Sequence, residues 1–105
     1  MIVRIWHGWT TLAKADAYRR LLEEEVFAGI SGRQIPGYLG IQLLRRSAGE
    51  LMEFVTIMRF ESLEAVRAFA GSEYEVAVVP DAARRLLHHF DPRSTHYELI
   101  VAAGE

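Results

Sequence analysis

Apolar and polar positions divide the chain into stretches of two periods. The opening IVRIWHGW, residues 2–9, is β-branched and aromatic and runs into Thr10 and Thr11, which predicts a first strand. Beyond it Ala17, Tyr18, Leu21, Leu22, Val26 and Ile30 recur at three- and four-residue spacings, giving a helix with one apolar face and Thr10 or Thr11 as its cap. Arg19 with Glu23 and Arg20 with Glu24 form i,i+4 pairs, and the run Glu23, Glu24, Glu25 reads as a solvated helix face. Gly29, Gly32, Pro36 and Gly37 then break the pattern. YLGIQLLRR and LMEFVTIMRF follow as two strands joined by the turn SAGE, a hairpin. Ser62 caps a short helix, LEAVRAFA, with Glu64 in its first turn and Gly71 at its stop. Pro80 suits the first turn of another helix, DAARRLLHHF, predicted to end near His89 or Phe90, and THYELIV is the last strand.

The order β-α-β-β-α-β, with the second helix in two pieces, is the split βαβ arrangement. It predicts an α+β, ferredoxin-like fold, a four-stranded antiparallel sheet with helices on one face. In the second strand Leu39, Ile41 and Leu43 fall on one side and Tyr38, Gln42 and Leu44 on the other; the third sets Phe54, Met58 and Phe60 against Val55 and Ile57. A sheet apolar on both faces, with helices enough for one, predicts a homodimer formed sheet to sheet.

Composition narrows the function. A chain of 105 residues is expected to form one domain, residues 1–105. It holds no apolar run near the roughly 20 residues of a membrane span, and MIVRIWHGW lacks the features of a secretory signal, so a cytoplasmic protein that does not engage membrane is expected. Cysteine is absent, which removes thiol chemistry, Fe–S clusters and cysteine–zinc sites. With a net charge of -2 and its arginines scattered, the chain has no basic face for nucleic acid. Asparagine is also absent.

RIWHGW followed by threonines, the stretch EFVTIMRFESLEAVRAFAG, and the tail phrases YEVAVVP, LLHHFD and HYEL, in this element order, resemble the antibiotic biosynthesis monooxygenase domain from about Ile2 to Val101. That resemblance implies a dimeric α+β barrel and a small-molecule enzyme, with cofactor-independent monooxygenation of aromatic or quinol-like compounds as the leading activity. The alternatives are a non-catalytic, ligand-binding or stress-related dimer and a haem-binding or haem-degrading protein. The family's haem degraders use an asparagine, a tryptophan and a haem-ligating histidine, and its anthrone oxygenases also employ asparagine. A chain without asparagine matches neither set residue by residue. Cofactor-free oxygenation needs a base, a dry pocket and donors that stabilise the substrate anion.

Those roles select candidates. His7, between Trp6 and Gly8 in the first strand, is the first choice of base, because an imidazole changes charge near neutral pH. His96, at the start of the last strand, is the second, with Glu98 on the same strand face to raise its pKa. Trp6, Tyr38, Arg59 and Tyr74 are expected to bind substrate, Arg59 by holding an anionic oxygen. Trp6 and Trp9 point to opposite faces. His88 and His89, about 100° apart on a helix, read as a helix end rather than as ligands, and no spacing offers a metal site, so neither metal nor cofactor is expected.

Overall fold

The structure is a computed structural model, and it describes residues 1–104. Strand β1 (Ile2–Thr11) lies at the centre because both of its edges are paired. On one side it runs antiparallel to β3 (Leu51–Phe60), from Ile2 opposite Phe60 to Thr11 opposite Leu51, and β2 (Tyr38–Ala48) completes the hairpin. On the other side two short strands share one edge: β4 (His89–Phe90) pairs with Gly8 and Trp9, and β5 (Thr95–Glu98) pairs with Ile2 to Ile5. The fourth position of the expected antiparallel sheet is thus filled by two pieces, giving five strands among the described residues.

One helical run crosses a single face of the sheet. It starts with a tight turn at Leu12–Lys14, continues as α1 (Ala15–Leu21), widens to π-type turns at Leu22–Val26, and ends as α2 (Phe27–Gly32). The threonines do not cap it by side chain. Thr11 occupies the cap position without a side-chain bond, and Thr10 remains in β1 with its hydroxyl buried and unpartnered. Helix α3 (Leu63–Ala70) forms as the pattern predicts: Ser62 Oγ accepts from the Ala65 amide at 3.2 Å, and Gly71 stops it at a φ of 89°.

Helix α4 (Asp81–Leu86) is shorter than the pattern predicts. The amides of His88 and Asp91 donate to the carbonyls of Trp9 and His7 at 2.7 and 3.0 Å, so this stretch completes the open edge of β1 instead of another helical turn. His88 and His89 therefore lie on the sheet edge, not at a helix end. His89 stacks on Trp9 with ring centroids 4.4 Å apart.

Even-numbered residues of β1 face the helices. Arg4, Trp6, Gly8 and Thr10 are buried there, while Ile5, His7 and Trp9 are half-buried on the other face. Along β2 the alternation slips once. The pairing passes from Tyr38 opposite Phe60 to Gly40 opposite Arg59, a bulge at Leu39, where Gly40 adopts a φ of 148° open to few other residues. The slip moves Tyr38 onto the helix side with Ile41 and Leu43, away from the Gln42 and Leu44 side that uninterrupted alternation predicts.

Two clusters fill the layer between sheet and helices. One joins Ala15, Tyr18 and Leu22 to Phe54 and Ala83; the other joins Met58 and Phe60 to Ala65, Val66 and Phe69. They leave a seam between them.

Candidate active site

A cleft occupies that seam. Its inner end, a narrow throat of about 60 Å³, is floored by Arg4, Trp6, Thr56 and Met58 of the sheet and walled by Phe69 and Ser94. Its outer part, about 400 Å³, opens past Leu21, Glu25 and Arg33. Val26, Ile30, Phe69, Val78 and Pro80 line both, so the two form one tapered channel. Together they reach the several hundred Å³ usual for a small-molecule site. The widened π-type turns at Leu22–Val26 supply three of its wall residues, Leu22, Glu25 and Val26, and such turns occur at many functional sites.

Trp6 is held flat along its strand. Its indole N–H donates to the Asp91 carbonyl at 2.8 Å, and its ring lies over Gly8, where a Cβ would come within 2.7 Å of the indole. Glycine at position 8 is what lets the ring lie there.

Arg4 is the residue that pattern reading passes over. It is 3 % exposed. Its guanidinium donates to the carbonyl of Tyr74, to the Val76 carbonyl at 3.2 Å and to His96 Nε2 at 2.9 Å, and it lies 5.5 Å from the Phe69 ring centre. Desolvation lowers its pKa to about 10, which leaves it a cation at neutral pH. Among the described residues no carboxylate lies within ion-pair distance of it.

His96 stands opposite Arg4 in the β1–β5 register. Burial first, and then the Arg4 charge, lower its pKa, outweighing the opposite pull of Glu75. Its partner is Arg4, not the exposed Glu98, and the shift runs opposite to the one Glu98 was expected to cause. Because Nε2 accepts from the guanidinium, the ring is neutral with its proton on Nδ1. Tyr74 meets the His96 ring edge-on at 5.1 Å and carries Arg67 over its own face, outside the cleft.

The other expected site residues lie elsewhere. His7 projects from the opposite side of β1, where its Nδ1–H donates to Glu53 Oε2 at 2.8 Å while Arg46 Nε donates to Glu53 Oε1 at 2.6 Å. Those two hydrogen bonds, Arg46 first, hold the Glu53 carboxyl below its usual range. Arg59 is exposed on that same helix-free face, opposite Val3 and Gly40. Tyr38 packs on Phe60 in the second cluster, its phenol pushed up by burial against the pull of Arg59. The sheet thus separates His7 and Arg59 from Trp6 and His96.

The model of the antibiotic biosynthesis monooxygenase family matches residues 4–88. The chain belongs to that family. No curated protein matches it significantly. Among solved structures it is similar to a Bacillus cereus protein described as an antibiotic biosynthesis monooxygenase, at 16% identity over 99% of this chain and 97% of that one, with a TM-score of 0.68. It is also similar to the Streptomyces coelicolor monooxygenase ActVA-Orf6 in complex with nanaomycin D, at 18% identity, 99% and 91% coverage and a TM-score of 0.66. A third is the haem degrader MhuD from Mycobacterium tuberculosis with two haems in its active site, at 23% identity, 99% and 100% coverage and a TM-score of 0.59. At these identities the likeness establishes the fold, a ferredoxin-like α+β layer pair with helices on one face of an antiparallel sheet.

Proposed function

We propose that this family member is a single-domain, cytoplasmic enzyme, a cofactor-independent monooxygenase of aromatic or quinol-like compounds. The observation that carries the reading is the apolar cleft that narrows toward Trp6 and Arg4, whose outer part of about 400 Å³ has room for a planar ring. In such a site a substrate anion passes an electron to oxygen, the radical pair joins as a carbon-bound peroxide, and the O–O bond breaks. A ring CH2 then becomes a carbonyl; one oxygen atom stays in the product and the other leaves in water with both hydrogens. All four electrons come from the substrate carbon, so the balance needs no further reductant. Exclusion of water protects the anion and the peroxide.

The haem-degrading alternative finds less support in the cleft. Among the described residues neither its throat nor its mouth is lined by a histidine. His96 spends Nε2 on Arg4, and His7 and His89 lie on the other face of the sheet. These residues do not fit histidine ligation of haem iron.

The test is oxygen uptake by purified, colourless protein given an anthrone, whose ring CH2 becomes a quinone carbonyl, with the product quinone measured alongside. Uptake matched mole for mole by quinone supports the reading. Tight binding without uptake would place the chain with non-catalytic ligand binders.

We also infer a homodimer across the helix-free face. Ile5, Trp9, Val55 and Ile57 form a half-buried apolar patch there, flanked by the exposed Leu44 and Tyr97. Ile57→Arg should convert a sedimenting dimer to monomer; a wild-type monomer at micromolar concentration would remove this inference.

A further inference from the structure

The cleft is two spaces of unequal size, and a ring fits only the outer one. An apolar cavity that admits benzene measures about 150 Å³. The outer part, at about 400 Å³, exceeds that, and the throat, at about 60 Å³, falls well short of it. With about 30 Å³ for each water-sized molecule, the throat has room for a guest of two or three heavy atoms. Val26, Ile30, Phe69, Val78 and Pro80 line both spaces, so such a guest lies against the inner edge of a ring held in the outer part.

Side-chain size keeps the throat open. Phe54 and Met58 of β3 are buried on the helix side of the sheet, whereas Thr56 between them, directly opposite the buried Trp6, is only half-buried. The surface that Thr56 keeps is toward the throat it lines. Ala83 of α4 and Ser94, just ahead of β5, stand in the same wall, so three small side chains occupy positions where larger ones would close the space. The rest of the lining is largely apolar, from Trp6, Leu22, Ile41, Met58 and Phe69. Its polar groups are Tyr18, Thr56, Ser94 and Arg4, and Arg4 donates to the carbonyls of Tyr74 and Val76 and to His96. Desolvation pushes the buried Tyr18 phenol up, so it stays protonated and does not serve as a base at neutral pH. The throat is thus suited to a small apolar guest, with hydroxyls at hand for any charge that develops on it.

We propose that the throat is the dioxygen site of the cleft, separate from the ring site in its outer part, and that Thr56 sets its size. This rests on the oxygenase reading and deepens it by locating the second substrate. Dioxygen is apolar and small enough for the throat, and from there it meets the inner edge of the ring without passing around it. As the carbon–oxygen bond forms, the outer oxygen atom, which carries the charge of the peroxide, remains in the throat beside the hydroxyls of Thr56 and Ser94. The atom that leaves in water is that one.

The probe is xenon, an apolar atom that enters small apolar cavities. Crystals of the intact protein held under xenon pressure should show a xenon atom in the throat, against Trp6, Thr56 and Met58. Thr56→Ile, which puts an ethyl group in place of the hydroxyl, should exclude it, and Thr56→Val, matched in shape, should retain it. Ala83→Val narrows the throat from the helix side and should weaken the xenon density as well, so the result does not hang on the folding of one variant. In solution, with an anthrone and varied oxygen, Thr56→Ile should raise the KM for oxygen by about tenfold or more, the effect of a methylene or two in a fitted pocket, and leave the KM for the anthrone within about threefold. An empty or water-filled throat in the wild type under xenon, or xenon retained in folded Thr56→Ile, overturns the proposal. An equal rise in both KM values overturns it too, since Thr56 would then only pack the cleft. Oxygen uptake is scored separately. Uptake with no xenon in the throat removes the dioxygen site and keeps the oxygenase, whereas xenon in the throat of a protein that takes up no oxygen removes the oxygenase and, with it, the role of the site.

Discussion

Arg4 and Glu53 are both buried charges on the paired central strands, yet they face opposite sides of the sheet and are satisfied in opposite ways. Glu53 lies between two donors of complementary charge or polarity, His7 and Arg46, and its proton affinity falls accordingly. Arg4 donates to two carbonyls and a neutral imidazole and has no carboxylate at ion-pair distance among the described residues, and its proton affinity falls too, here because burial penalises the cation. A carboxylate lowered by partners marks a completed pair. A guanidinium held by carbonyls and an imidazole, with no carboxylate at ion-pair distance among the described residues, is not such a pair, and it stands at the end of the cleft.

The largest expected effect tests that distinction directly. Arg4→Met should reduce quinone-forming turnover by about 10²-fold or more, the usual loss when a donor to a developing anion is removed, while Glu53→Gln leaves turnover within about threefold. Steady-state oxygen uptake by the two variants checks it, and equal losses would erase the contrast. His7→Ala is an intermediate case. Its side chain projects from the face away from the cleft, so turnover should remain at least about tenfold above that of Arg4→Met. A deeper loss would move the chemistry to the helix-free face and restore His7 as the base.

Stability should show the reverse order. Glu53→Gln weakens charge-assisted bonds to His7 and Arg46, and urea unfolding should register a loss of about 1 kcal/mol; the exposure of Arg46 keeps the figure at that level. Acid should reveal the same pair. The folded pKa of Glu53 lies below its ordinary 4.5, so its contribution is complete above that pH and is lost as pH falls through the lower, folded value. Glu53→Gln should remove this step from a plot of unfolding free energy against pH.

The smallest effect belongs to His96. Its folded pKa lies below 6.5, so the unfolded chain takes up the proton first, and stability declines as pH falls from 6.5 through the folded value. His96→Gln should flatten this upper step and leave the acid step of Glu53 in place. Differential scanning calorimetry over that range would resolve the two, and a single merged step lost in both variants would show that the two sides of the sheet titrate together.

What could be read in the sequence is what depends on neighbours along the chain. The period-two strands, the Ser62 cap, the Gly71 stop and the apolar helix face from Tyr18 to Ile30 are local patterns, and backbone geometry converts each into an element nearly unaided, although Ala17, expected on that face, is exposed and Ala15 is buried instead. Alternation likewise put Trp6 and Trp9 on opposite faces. It misjudged Tyr38, because a bulge at Leu39 inserts one residue and reverses every side that follows. It extended α4 to the histidines because the competing partner, the free edge of β1, lies some eighty positions earlier in the chain. Arg4 shows the limit most clearly. In IVRIW it reads as one polar residue among apolar ones, and nothing nearby in sequence indicates that it is buried. Its burial, its bonds to the Tyr74 and Val76 carbonyls and its contact with His96 arise only when segments seventy to ninety residues apart close over β1. Local periodicity determines which side of a strand a residue occupies; what covers that side, and whether it brings a counter-charge, is decided by the long-range packing of the whole chain.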